Sequence, residues 1–123
     1  MAKRPMDIAR EVLLWVISLF LAYVFLNQGY SKFSDTSGWA RAFRVWHYPD
    51  WFRMLIGGIE MLSALLLLWP RVATVGAVMI ICVMLGAMGT HLWFGPARHV
   101  TSEIVPLTLA TVIAFMRYRR LRE

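Results

Sequence analysis

A chain of 123 residues that is 59% hydrophobic and only 16% charged, with a mean hydropathy of +0.59, is too apolar for an ordinary soluble domain and belongs in a bilayer. Its apolar residues form long blocks with the charges confined to the gaps, so the net charge of +6 reflects membrane topology and not nucleic-acid binding. One cysteine, Cys82, in mid-block excludes a disulfide framework and a CxxC dithiol within this chain.

The N-terminal "MAKRPMDIAR" is basic, and the uncharged stretch 12–31 follows it. No small-x-small cleavage site stands where that stretch ends at "FLNQGYSKF", so it reads as an uncleaved span. At about 1.5 Å per residue it is long enough for a hydrocarbon core of about 30 Å. The connection "KFSDTSGWARAFRVWHYPD" comes next. In it Trp39, Phe43 and Trp46 share one helical face, Arg41 and Arg44 point elsewhere, and Ser37 is placed as an N-cap. A short interfacial helix is predicted, either a tryptophan belt that anchors the rim or a lid in which Trp46 meets a ligand.

The second predicted span covers 51–69 and is interrupted by Arg53 and Glu60, and Pro70 and Arg71 then turn the chain. The third covers 72–93 and stops before Gly95 and Pro96. The fourth covers 101–116 and precedes the basic tail "RYRRLRE". The expectation is an all-α integral membrane protein. It is a bundle of four transmembrane helices with a short interfacial helix between the first two, forming a single domain over 1–123. Four spans put Lys3, Arg4, Arg10, Arg71, Arg117, Arg119, Arg120 and Arg122 on one side, and Lys32, Arg41, Arg44, Arg53 and Arg98 on the other. Eight against five places both termini in the cytoplasm.

On that topology Glu60 lies seven residues inside Arg53, about 10 Å below the outer boundary. His91, Glu103, Asn27, Gln28 and Lys32 all fall near the outer ends of their spans, whereas the inner half is Leu, Val, Ile and Met. Glu60 has small same-face neighbours in Gly57, Ser63 and Ala64, so it faces the bundle and not lipid. A buried carboxylate requires a partner, a proton or water, and Lys32 and Arg53 are the cations in reach. Gly76, Met79, Val83, Gly86 and Thr90 make a similar seam on the third span. The two seams are expected to pack together, leaving an interior too cramped for an active site built by this chain alone.

Cofactor boxes are not evident. His47 and His99 fall in loops, so only His91 could approach a haem, and neither HxxxH nor ExxH occurs on a helix. Cys82 and the eight methionines read as packing residues.

"LNQGYSKF" resembles the small-Gly-x-x-Lys-Phe ending of the first helix of the DoxX family. "RAFRVWHYPDWFRMLIGGIEMLSALLLLWPRVATVGA" resembles that family's short helix and proline, its Gly-x-x-Glu helix and its turn with a basic residue. The resemblance runs in order over 26–92. It implies a small four-helix protein of the bacterial inner (plasma) membrane. It also implies partnership in membrane redox complexes, since some members are subunits of thiosulfate:quinone oxidoreductase and others associate with thiol or superoxide defence enzymes. Vertebrate relatives act as receptor-assembly chaperones. Lys32 and Glu60, with Gly29 and Gly57 beside them, carry the match; His91 corresponds more loosely, and Asn27 and Gln28 stand where the family has small apolar residues.

Three functions stay open. The first is a redox-complex subunit with a quinone-type site, in which Glu60 or His91 accepts a proton and Lys32, Gln28, Asn27, Glu103 and Trp46 contact the substrate. The second is a non-catalytic scaffold or assembly chaperone in which Glu60 and Lys32 form a buried structural pair. The third is a proton-coupled small-molecule transporter. No metal and no cofactor bound by this chain alone is expected, although a quinone could be shared with a partner. The expected partners are the lipid bilayer, a redox-enzyme subunit and a second copy of the chain.

Overall fold

The computed structural model describes residues 5–34, 36, 38–94 and 99–122. Among these residues all regular structure is helical: α1 Pro5–Ser31, α2 Gly38–Val45, α3 Asp50–Leu67, α4 Ala73–Phe94 and α5 His99–Arg122. Ser37, Gly95, Pro96 and Arg98, to which the sequence assigns a cap, a break and a loop charge, lie outside the described residues.

Local chemistry sets the boundaries. Pro5 opens α1, where a missing N–H costs nothing, and Asp7 sits in its first turn. At the far end the Ser31 hydroxyl donates to the Gln28 carbonyl at 2.9 Å, and the Lys32 N–H closes the last turn onto Gln28 and Gly29. Pro49, extended at φ −70°, caps α3 and offers its carbonyl to the N–H groups of Phe52 and Arg53. The reversal before it places His47 at φ 64°. α3 ends at Leu67, two residues earlier than expected, because Pro70 disfavours helix just before it, and Leu68 bonds back to Leu65 instead.

Two boundaries differ more. α1 starts seven residues before the uncharged stretch, with Asp7, Arg10 and Glu11 on its first turns. α5 includes His99, read from sequence as a loop residue, and continues through the basic tail to Arg122. Arginine and leucine, which make up most of that tail, are good helix formers.

α1 packs on α3 and α5, α4 bridges α3 and α5, and α2 lies on α3. Consecutive long helices run antiparallel, so one end of the molecule, called upper here, carries α2 and the first residues of α3 and α5. The lower end carries the turn between α3 and α4. Leu14, Leu21 and Phe25 of α1, Leu67 of α3 and Ile113 of α5 fill the core against Ala64, Ala73, Ala77 and Ala110. The alanines let neighbouring helices approach closely. Outward, Val16, Leu19, Phe20, Leu62, Leu65, Val75, Leu85 and Phe115 are exposed, a surface that would aggregate in water and suits lipid. α1 and α4 are each long and apolar enough to cross a membrane; α3 has Asp50, Arg53 and Glu60 along its length, and α5 contains Pro106 and ends in a basic sequence.

Candidate functional site

The site begins where two backbones touch. A Cβ on Gly29 would lie 2.6 Å from the Gly57 carbonyl oxygen, and one on Gly57 would lie 2.8 Å from that of Gly29. Only hydrogen fits at this crossing of α1 and α3. Lys32 and Glu60 each follow their glycine by three residues, and because the helices are antiparallel those steps carry them in opposite directions, about 9 Å apart along the axis. The lysine stem spans that offset. Its Nζ reaches Glu60 Oε1 at 2.6 Å, with both side chains buried, and it also lies 3.8 Å from the centroid of the Trp39 ring on α2, a cation–π contact.

A second acid–base pair joins the other two helices. His91 Nδ1 on α4 is 2.5 Å from Glu103 Oε1 on α5, both largely buried. The Trp46 ring meets the His91 ring edge to face at 5.2 Å, and the Tyr48 hydroxyl hydrogen-bonds the Thr90 hydroxyl at 2.9 Å. Phe43, Trp46, Tyr48 and Phe52 stack tilted or edge-on against one another at 5.2–6.2 Å. Trp39 of α2 and Trp46, the residue that follows its last turn, therefore touch one pair each.

Between the pairs, beneath α2, is a cavity of about 1270 Å³, large beside the few hundred to about 1000 Å³ of ordinary ligand sites. This corrects the expectation of a cramped interior. The small-residue seam of α4 does not pack along α3. Only its lower member does: a Cβ on Gly76 would meet the Ser63 carbonyl oxygen at 2.7 Å and Leu66 Cβ at 2.9 Å, whereas Gly86 and Gly89 have nothing within 4 Å. The helices touch below and part above, so Met79, Val83, Gly86 and Thr90 become cavity wall.

Of the residues singled out in the sequence, Lys32, Glu60, His91, Glu103, Gln28 and Trp46 all line this cavity. Asn27 does not. It is exposed on α1, about 100° around the helix from Gln28. Arg53 is not the partner of Glu60 either. Two turns higher on α3, it is completely buried, donates from Nη1 to the Ser34 carbonyl at 2.6 Å and approaches Asp50 at 3.7 Å. It thus ties the chain after α1 to the start of α3.

Trp39, Tyr48 and Thr90 were not singled out as site residues, although Trp39 lies on the apolar face that marks α2 as amphipathic. At the lower end an ion pair that the sequence did not indicate joins two described residues: Arg117 Nη1 of α5 meets Glu11 Oε1 of α1 at 2.7 Å, beside the Trp15 ring. Among the described residues no group of three or more His, Cys, Asp or Glu is placed to hold a metal ion.

Set against known proteins, the model of the DoxX-like family matches residues 16–115. No curated protein matches the chain, and no solved structure does.

Proposed function

The chain belongs to the DoxX-like family, and from that premise we propose that it serves as a subunit or partner of a membrane redox complex, holding a quinone-type head group in the cavity beneath α2. One observation carries this reading: a cavity with apolar walls, such as Ile59 and Met79, has among its lining residues two buried carboxylates, each paired with a basic side chain. That donor set fits a ring with carbonyl or hydroxyl oxygens and an apolar body.

A bound quinone would supply electron and proton exchange, with the electrons passing to the redox-enzyme partner. The residues of this chain bind and handle protons. His91 takes a proton at the ring nitrogen opposite Glu103 in this reading, supported by the contact of Glu103 with Nδ1, which fixes the imidazole orientation. Lys32 and Glu60 present a donor and an acceptor across the cavity, and Trp39 and Trp46 cover the polar end from above.

The architecture proposed with this function is a single domain of four membrane spans, α1, α3, α4 and α5, in the bacterial inner membrane with both termini cytoplasmic. α2 then lies at the outer surface. A C-terminal alkaline phosphatase fusion is expected to be inactive and a C-terminal fluorescent protein bright; the reverse pattern would put the site on the cytoplasmic side.

The functional test is purification in mild detergent, analysis of co-extracted lipid and an optical spectrum, followed by titration with ubiquinone and menaquinone analogues. Quinone is expected in the extract of the wild type and much less in that of His91→Gln or Glu103→Gln. A folded wild type that retains no quinone and binds none on titration would remove the reading.

A scaffold reading has its own support. Lys32 and Glu60 lie beside the Gly29–Gly57 crossing, where a buried pair fixes the register of two helices without any chemistry. Under that reading Glu60→Gln lowers stability, and quinone binding is absent from the wild type.

A further inference from the structure

A cavity this large inside a membrane protein must be reached from somewhere, and the surface of α4 indicates where. Val75, Val78, Cys82 and Leu85 recur at steps of three and four residues, so they form one stripe along the helix. All four are exposed. The two middle members, Val78 and Cys82, also line the cavity, and so does Gly86 beside them, with nothing within 4 Å of where its Cβ would be. The outer members, Val75 and Leu85, do not line it.

A stripe that is outer surface at both ends and cavity wall in its middle marks the rim of a sideways opening. Ile56 and Ile59 stand on the α3 side of it. Its lower limit is the close contact of Gly76 with Ser63 and Leu66. Val78 to Gly86 is the middle of the 22-residue α4, a helix long and apolar enough to cross a bilayer. At that level the neighbour outside is lipid tail and not water.

We infer that the cavity is filled from the bilayer through a slit between α3 and α4 at the level of Val78, Cys82 and Gly86, and that the occupant keeps a long apolar chain in this slit while its polar head lies between the two acid–base pairs. The ligand class is therefore a membrane-dissolved amphiphile with a flexible hydrocarbon chain, which under the function proposed above is an isoprenoid quinone and not a water-soluble ring. Between Val78 and Gly86 on α4 and Ile56 and Ile59 on α3 the slit is apolar apart from the thiol, so it contributes apolar contact along the chain; the exposed Arg41 and Val45 of α2 also line the cavity. The small size of Gly86 keeps it open.

The single cysteine of the protein is a built-in reporter on that rim. In nanodiscs, alkylation of Cys82 by a carbene photogenerated from a lipid-dissolved alkyl diazirine, which inserts into the neutral S–H bond and needs no thiolate, is followed by peptide mass with three probes: long-chain ubiquinone, duroquinone, which has the ring and no chain, and an isoprenoid alcohol, which has the chain and no ring. Long-chain ubiquinone is expected to slow alkylation about tenfold at a concentration ten times its dissociation constant, and duroquinone to leave it unchanged. Gly86→Phe, which fills space that is empty, is expected to abolish the preference for the long-chain quinone over duroquinone.

If the isoprenoid alcohol protects Cys82 as well as ubiquinone does, the slit stands and the quinone head is wrong. If ubiquinone and duroquinone bind equally well, and neither protects Cys82, the head site stands and the slit is overturned. If no probe protects the thiol and Gly86→Phe changes nothing, the inference fails outright.

Discussion

Charge is buried at both ends of this molecule, with different surroundings. At the lower end Arg117 meets Glu11 at 2.7 Å, and just above it Leu14, Ala73 and Ile113 close the core. At the upper end Lys32–Glu60 and His91–Glu103 line one cavity of about 1270 Å³. The lower pair joins two helices that already touch. The upper pairs each join two helices, and the space between the pairs is left open because α3 and α4 part above Gly76. A buried ion pair is thus weak evidence of a site by itself; two pairs that share a cavity, roofed by aromatic rings, are stronger.

The largest test of that contrast is Glu60→Gln. It leaves the Lys32 ammonium buried without its counter-charge and is expected to cost about 3 kcal/mol. Adding Lys32→Met should restore most of the loss, measured by thermal unfolding in detergent for both singles and the double. Losses that simply add would break the assignment of Glu60 as half of a structural pair and leave it as a carboxylate serving the cavity alone.

The two ends of the α4 seam come next. Gly76→Ala drives a methyl into the Ser63 carbonyl, and Gly29→Ala does the same at the Gly57 carbonyl, so each should cost about 1–3 kcal/mol. Gly86→Ala meets open space and should stabilise by up to about 1 kcal/mol through helix propensity. Equal destabilisation at Gly76 and Gly86 would mean that α3 and α4 close along their whole length and that the cavity collapses in the membrane.

Ligand binding then separates the ends by chemistry. His91→Gln is expected to weaken quinone binding about tenfold, equivalent to about 1.4 kcal/mol. Arg117→Met should leave that affinity unchanged and lower stability by about 1 kcal/mol, because its partner Glu11 is partly exposed and can be solvated. Isothermal titration together with unfolding curves on both variants decides the matter; an effect of Arg117→Met on binding as large as that of His91→Gln would dissolve the distinction.

The role of α2 gives the smallest effect. With Trp46 against His91, Trp46→Ala should weaken ligand binding without reducing the amount of protein in the membrane. Arg41→Glu with Arg44→Glu should disturb membrane seating instead. Loss of both properties in Trp46→Ala would leave α2 as an anchor only.

Periodicity and composition were enough to read the helices, the amphipathic face of α2 and the inward direction of Glu60, because each follows from which residues share a face within one segment. The pairing of Lys32 with Glu60 was open in the same way, since Arg53 was an equal candidate by charge. It was decided by the Gly29–Gly57 crossing, which sets α1 and α3 at a register where the lysine stem reaches and Arg53 is two turns too high. Gly76 and Gly86 show the limit most clearly. Both are small residues on one helical seam and look alike in the chain, yet one is pressed against the Ser63 carbonyl and the other borders a cavity. A helical repeat specifies direction around an axis; the divergence of two axes depends on contacts summed over all four long helices, and here that divergence makes the site.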